Sequence, residues 1–328
     1  MNILIASYST IPAILYGGTE RVIWDLGNEL SQMGHSITFL VNKESYCSFA
    51  KVIAIDNTKL INQQIPNDIE IVHLNFQPSE TIHKPYVVTQ HGNTSSPEIK
   101  LDKNTIFVSK NHAIRHGSSS FIYNGLNWNT YEKIDLNSTR KYFHFLAKAA
   151  WRLKNVTGAI KIARGANQKL KVLGGNRLNV KMGFRFTPYP SISFLRMANN
   201  EQKGKIMNLS KGLIFPVLWH EPFGLAIIES LYYGCPVFAT PYGSLPELVT
   251  DDTGFLSTSQ NELTKAIQSI NQYSKIHCHD YAQDLFNSRL MAERYLQKYE
   301  SVLNGNFLNS TEPHLLEIQK EKFLPLNK

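Results

Sequence analysis

Short apolar runs alternate with amphipathic stretches along most of the chain. Residues 3–6, 37–41, 69–74, 86–89 and 106–109 read as buried strands, most of them separated by helix-like spans. Between 19 and 33, Val22, Ile23, Leu26 and Leu30 fall on one face of a 3.6-residue period, with Glu20, Arg21, Asp25 and Glu29 opposite. Gly34 follows where a helix C-cap belongs. A second series begins near Tyr142, with strands expected at 143–147, 170–173, 192–195, 213–218 and 237–239 and helices at 156–163, 203–209 and 225–233. This alternation predicts parallel sheets covered by helices on both faces.

With 328 residues, the two series read as two domains. The stretch 127–140 between them is polar and poor in aliphatics, so the linker belongs there. The expected boundaries are 1–135 for the first domain, 141–280 for the second, 281–303 for a last helix packing back across the domains, and 304–328 for a loosely held tail. The helical period of that last element runs over 282–303. Hydrophobic residues at 42% and charged residues at 18% exclude wholesale disorder. No apolar run approaches the roughly 20 residues of a membrane helix. The N-terminus, Met-Asn-Ile-Leu-Ile-Ala-Ser, has no basic region and reads as a buried strand, not a signal peptide. Cys47, Cys235 and Cys278 make neither a disulfide framework nor a zinc pattern, which points to a reducing cytoplasm.

The net charge of +8 matters through its position. Residues 1–145 are neutral, with 12 basic and 12 acidic side chains, and 212–328 carry −5. Residues 146–211 hold 14 Lys and Arg against Glu201 alone, a local +13. Such a segment expects an anionic partner: nucleic acid, a phosphate-bearing small molecule or an anionic membrane surface.

The strongest chemical signal is His220-Glu221-Pro222-Phe223-Gly224-Leu225-Ala226-Ile227-Ile228-Glu229, which follows an apolar run and opens a helix ending at Gly234. Gly224 and Leu225 fall in the first helical turn, where unpaired N–H groups and the dipole attract phosphate. A loop carboxylate there can accept hydrogen bonds from sugar hydroxyls, and a second two turns on can hold a ribose. By spacing alone, an acidic first turn followed by a surface glutamate fits equally well.

The surrounding motifs decide between these. Tyr16-Gly17-Gly18-Thr19-Glu20-Arg21 with Gly34-His35, Phe107-Val108-Ser109 with Ile122-Tyr123-Asn124-Gly125, the Glu221-to-Glu229 motif, Gly234-Cys235-Pro236-Val237, Pro246-Glu247-Leu248-Val249 and Thr253-Gly254-Phe255-Leu256 follow one another in the order found in family 4 of the retaining glycosyltransferases. The chain resembles that family over about residues 1–303. The resemblance implies an α/β fold of GT-B type, two Rossmann-like parallel-sheet domains facing a central cleft, with the acceptor on the first and a nucleotide-sugar donor on the second.

Carried over residue by residue, the resemblance implies that Glu221 contacts the donor sugar and stabilises charge at the reacting centre. Glu229 would hold the nucleotide ribose, and the Gly224 and Leu225 amides would meet the sugar or diphosphate. Gly17 and Gly18 would let the first loop approach the phosphates or the acceptor. His91, in Thr89-Gln90-His91-Gly92, matches the family histidine that faces the donor sugar. The family's diphosphate-binding Arg and Lys stand five apart; here Lys148 replaces the arginine and Lys154 follows at a spacing of six, with Arg152 between them. Replacing a planar guanidinium by an ammonium loses bidentate phosphate gripping, for which Arg152 can compensate. No Asp-x-Asp metal pair occurs in the sequence. The expectation is therefore no cofactor and no metal, with side-chain cations neutralising the leaving group. No nucleic-acid module is recognisable, so the basic segment fits small phosphate esters better than nucleic acid.

The reading is a retaining hexosyltransferase that moves a sugar from a nucleoside-diphosphate sugar to a hydroxyl of a glycan or lipid-linked acceptor. The resemblance points to lipopolysaccharide, capsule or other envelope glycans, in the cytoplasm and peripherally at the membrane's inner face. Ala at Glu221 or at Lys154 is expected to abolish transfer with the fold intact. The alternatives are a GT-B-like nucleotide-sugar epimerase, a phosphorylase and a non-catalytic nucleotide-sugar-binding protein.

Overall fold

The computed structural model describes residues 1–13, 17–180 and 182–328, so Tyr16 of the first-loop motif lies outside the described residues. The chain divides into two units, Met1–Trp128 with Phe286–Ile318 and Asn129–Leu285 with Gln319–Lys328.

The first unit is built on six parallel strands: β1 (Asn2–Ala6), β2 (Ser36–Val41), β3 (Lys51–Ala54), β4 (Ile71–Leu74), β5 (Tyr86–Gln90) and β6 (Thr105–Phe107), in the order β3-β2-β1-β4-β5-β6. Ile3, Leu4, Ile5, Ile71, Val72 and Val88 are fully buried, which is why the central strands read as unbroken apolar runs and not as alternating ones. Helix α1 (Gly18–Gln32) buries Val22, Ile23, Leu26 and Leu30, and Gly34 ends it with φ +87°. A one-turn helix, α2 (Lys110–Ile114), is capped by Ser109, whose hydroxyl accepts from the His112 amide.

The second unit repeats the plan. Its main sheet holds β7 (Tyr142–Leu146), β8 (Leu170–Leu173), β11 (Ile192–Leu195), β12 (Ser210–Phe215), β13 (Val237–Ala239) and β14 (Gly254–Leu256), in the order β11-β8-β7-β12-β13-β14, all parallel. A separate antiparallel ribbon pairs β9 (Leu178–Asn179) with β10 (Arg185–Phe186). The helices are α3 (Val156–Gly165), α4 (Asn200–Met207), α5 (Leu225–Tyr232), α6 (Leu245–Leu248), α7 (Gln260–Gln268) and α8 (Lys275–Leu285). In each unit the strand order runs third, second, first, fourth, fifth, sixth. The sheet order therefore reverses between β1 and β4 in one unit and between β7 and β12 in the other. Loops leaving the carboxyl ends of such a strand pair diverge to opposite sides and open a crevice.

Two expectations need correction. The single helix foreseen over 282–303 is two, α8 and a C-terminal helix at Ser288–Leu303. Asn287 interrupts them: its side chain accepts from the Leu290 amide as an N-cap, and Leu126 pairs with Phe286 and Ser288 in a short parallel bridge. Gly125 makes that bridge possible, because a Cβ there would lie 2.1 Å from the Asn287 carbonyl oxygen. The C-terminal helix belongs to the first unit. Tyr299 shares a 2.7 Å hydrogen bond with Nδ1 of buried His73, while Tyr295 bonds Thr89, which bonds His73 Nε2.

The tail is not loose. In the first unit the Asn309 amide group donates to the Lys103 and Thr105 carbonyls, and Leu101 N–H donates to Pro313. In the second unit Leu324 N–H donates to the Leu218 carbonyl and Asn327 pairs with Thr258 and Gln260. These bonds are made by irregular backbone and one amide side chain, which leave no period in the sequence. Among the described residues, no helix is long and apolar enough to cross a membrane.

Candidate active site

The second unit's switch point lies between β7 and β12, and the chain leaving each strand is shaped by local bonds. After β7, Trp151 N–H closes a turn on Lys148, and a 3-10 turn follows at Arg152–Lys154. Asn155, at φ +54°, caps α3 by accepting from Gly158 N–H and donates its own amide to the Pro216 carbonyl at 2.9 Å. Leu218 N–H donates to the Leu153 carbonyl at 2.8 Å. These two bonds tie the β7 exit to the β12 exit.

Across that seam Lys154 meets Glu221. Lys154 Nζ donates to both carboxylate oxygens, at 2.8 Å to Oε1 and 2.6 Å to Oε2, and Trp219 Nε1–H donates to Oε2 at 2.8 Å. Both residues are buried, 8% and 6% exposed, so water screens the pair little. Trp151, Phe215 and Trp219 place their rings 5.5, 5.4 and 5.0 Å from the ammonium, within cation–π reach. Glu221 sits in its loop by pairing with Gly243 after β13: Ser244 N–H donates to the Glu221 carbonyl at 2.9 Å, and Ser244 Oγ donates to Phe223. Gly224 stands at the N-cap of α5 with φ +93°, and a Cβ there would lie 3.3 Å from Glu221 Cγ. The carboxylate's stem therefore lies against the start of α5, where Leu225 is the first helical residue.

About one turn along α5, buried Glu229 accepts from Tyr131 Oη at 2.9 Å and pairs with the Lys203 ammonium of α4. Beside it, His144 of β7 bridges Ser210 and Ser230, and burial lowers its pKa to about 3. A neutral imidazole bonded at both nitrogens fixes the α5 backbone where Glu229 leaves it.

The structure thus gathers Lys154, Glu221, Gly224 and Leu225 in one place and sets Glu229 on the same helix. The other expected diphosphate ligands, Lys148 and Arg152, stand on the same β7 exit, outside the Lys154–Glu221 pair. Lys148 is exposed, and exposed Arg152 lays its guanidinium 4.9 Å over the ring of Phe323. His91, Gly17 and Gly18 belong to the first unit. There Asn75 fixes His91: the Asn75 amide donates to Ala6 O at 3.1 Å, leaving Oδ1 to accept from His91 Nε2 at 2.8 Å. Burial lowers the His91 imidazole to about 4, so it is neutral at pH 7. Gly17 precedes α1 and accepts from Arg21 N–H; Gly18 is the helix's first residue.

Trp219, Lys203, Tyr131 and Gly243 were not legible as site residues in the sequence. Trp219, two positions before Glu221, was within reach of a motif argument. The other three reach the site only through the sheet order.

A doubly wound α/β unit with a buried carboxylate–ammonium pair at its switch point, against a helix start, is an architecture suited to holding a phosphate-bearing ligand. Residues 127–283 match the family described as Glycosyl transferases group 1. Among solved structures, AviGT4, a glycosyltransferase involved in avilamycin A biosynthesis, superimposes with a TM-score of 0.75 over 93% of this chain and 98% of its own, at 16% identity. Anabaena Alr3699/HepE in complex with UDP-glucose gives 0.67 over 92% of this chain and 100% of its own, at 17% identity. The fold is that of the GT-B glycosyltransferases. Among curated proteins, an uncharacterized 41.2 kDa protein in the cps region of Klebsiella pneumoniae is 29% identical over 96 residues, which span 27% of this chain and 26% of that protein.

Proposed function

We propose that the protein is a retaining glycosyltransferase that moves a hexose-type sugar from a nucleoside-diphosphate sugar to a hydroxyl of a glycan or lipid-linked acceptor. The observation that carries this reading is the Lys154–Glu221 pair beside the first turn of α5. Without donor, the two side chains neutralise one another. A diphosphate arriving at the α5 amides competes for the Lys154 ammonium, and the Glu221 oxygens then turn to the sugar hydroxyls. As the bond to the diphosphate stretches, Lys154 and the helix start stabilise the departing charge while Glu221 faces the developing positive charge on the sugar. With these groups supplying the charge, the reaction needs no metal ion. Glu229, fixed by Lys203 and Tyr131, takes the nucleotide ribose. On the resemblance, the first unit is assigned to the acceptor side, and its His91 to facing the donor sugar. The match to a protein of a cps region supports a place in capsule or envelope polysaccharide synthesis, working from the cytoplasm at the inner membrane face.

The test is a thermal-shift screen of UDP-, GDP- and ADP-sugars, followed by product analysis with and without a hydroxyl acceptor. One donor is expected to raise the melting temperature, because a ligand of the folded state stabilises it by mass action. The product anomer should match the donor's. No response to any donor, or turnover that ignores an acceptor, overturns the reading.

A further inference from the structure

The last ten residues run along the carboxyl edge of the second unit's sheet. Leu324 N–H donates to the Leu218 carbonyl at 2.8 Å, adding a rung to the Leu153–Leu218 bridge between the β7 and β12 exits. Beyond β13, Tyr242 Oη donates to the Pro325 carbonyl at 2.7 Å. Beyond β14, Asn327 N–H donates to Thr258 O, and Gln260 N–H donates to Asn327 O, each at 2.7 Å. The segment is therefore a strap fixed at three successive strand exits, those of β12, β13 and β14, the first of which carries Glu221. Its ring, Phe323, lies under Arg152, two positions before Lys154 in the same 3-10 turn.

We infer that this strap is part of the donor site, with Phe323 acting as a positioning residue that aims Arg152 at the diphosphate. The inference rests on the glycosyltransferase reading above. A guanidinium held over an aromatic ring by its π-face still has N–H donors to offer phosphate oxygens. An exposed arginine must otherwise give up rotamer freedom when it grips a ligand, and the ring removes part of that cost in advance. Lys154 is held by Glu221 before donor arrives, so a pre-oriented Arg152 makes the first contact with the phosphates. Phe323 touches no reacting atom; its effect passes through Arg152.

The experiment uses the full chain and measures UDP-glucose, GDP-mannose and ADP-glucose binding by calorimetry. Four variants are compared: Phe323→Leu, which keeps apolar volume and loses the aromatic face; Phe323→Tyr, which keeps the face; Arg152→Ala; and the Phe323→Leu/Arg152→Ala double variant. Phe323→Leu should weaken the wild type's preferred donor by about two- to fivefold, the range expected of an exposed cation–π contact. Phe323→Tyr should restore wild-type binding, and Phe323→Leu should change nothing further once Arg152 is Ala. The donor KM should rise with kcat nearly unchanged, and melting temperatures of the Phe323 variants should stay together. Equal binding by wild type and Phe323→Leu, tighter binding by Phe323→Leu, or an undiminished effect in the Arg152→Ala background overturns this inference alone. If the wild type binds none of the three donors, the glycosyltransferase reading itself falls.

Discussion

Lys154 holds both oxygens of Glu221, 67 positions further along the chain, at 2.8 and 2.6 Å. Both residues are buried, and Trp219 adds a third donor to the carboxylate. Neither charge has water to fall back on, so each makes the other's burial tolerable. One pair thus links the unit's stability to its proposed chemistry.

Removing one partner strands the other. Lys154→Ala or Glu221→Ala is therefore expected to cost about 3–5 kcal/mol, as for other broken buried pairs. This replaces the sequence-based expectation of an intact fold. A Lys154→Met/Glu221→Leu double variant should recover most of that stability in urea denaturation while transferring no sugar. A double variant no more stable than the single ones would show that the pair is not what holds these loops together.

Gly243 fixes the Glu221 loop from the other side. Its φ is +68°, and a Cβ would stand 2.3 Å from both the amide nitrogen and the carbonyl oxygen of Glu221. Gly243→Ala combines backbone strain with a clash that no side chain can relieve, so a loss of about 2 kcal/mol or more is expected. Glu221 should shift with it, and transfer should fall further than melting temperature alone would suggest. Wild-type kinetics in Gly243→Ala would refute the link.

Acid should weaken both units. Burial lowers His73, in the first unit, and His144, in the second, to about 3, and nearby His91 adds to the effect on His73. Unfolded histidines titrate near 6.5, so between there and about 3 the unfolded chain binds protons that the folded chain refuses. The stability these two confer is fully present above about pH 6.5 and is lost as pH falls toward 3, at about 1.4 kcal/mol per group per pH unit. Urea midpoints at pH 7.5, 6 and 5 should fall in that order, and less steeply in His144→Asn. Midpoints that do not move with pH would contradict it.

Glu229 depends on residues from elsewhere in its unit. Tyr131→Phe removes a hydrogen bond to a charged group and should cost about 1.5–3 kcal/mol. Lys203→Met leaves the buried carboxylate without its cation and should cost about 3–5 kcal/mol. If Glu229 holds the ribose, both variants should bind a nucleoside diphosphate more weakly, whereas inorganic pyrophosphate should bind as before. A parallel loss of pyrophosphate would place their effect at the diphosphate instead.

The α/β alternation was readable because a parallel strand covered on both faces must be apolar along its length. Residues 170–173 and 237–239 were located to the residue on that signal, and 192–195 on its apolar run although that edge strand is only partly covered. The run Val52-Ile53-Ala54-Ile55 carries the same signal, yet half-exposed β3 at Lys51–Ala54 was not foreseen; the short β9–β10 ribbon has no such run and was not foreseen either. The break at Asn287 was hidden for a related reason. The apolar period continues through it, and only the bridge to Leu126 stops the helix there.

What the sequence determined alone was local: the strands, the helix opening at Gly224, the spacing of Glu221 and Glu229, and a basic segment in need of an anion. Tertiary structure decided the pairings. Lys154 came to Glu221 and Lys203 to Glu229, while Arg152 went to a ring in the last ten residues. Those partners stand on different strand exits or helices, and which exits become neighbours depends on the order in which parallel strands join a sheet. Long-range hydrophobic packing sets that order, and no spacing along the chain records it.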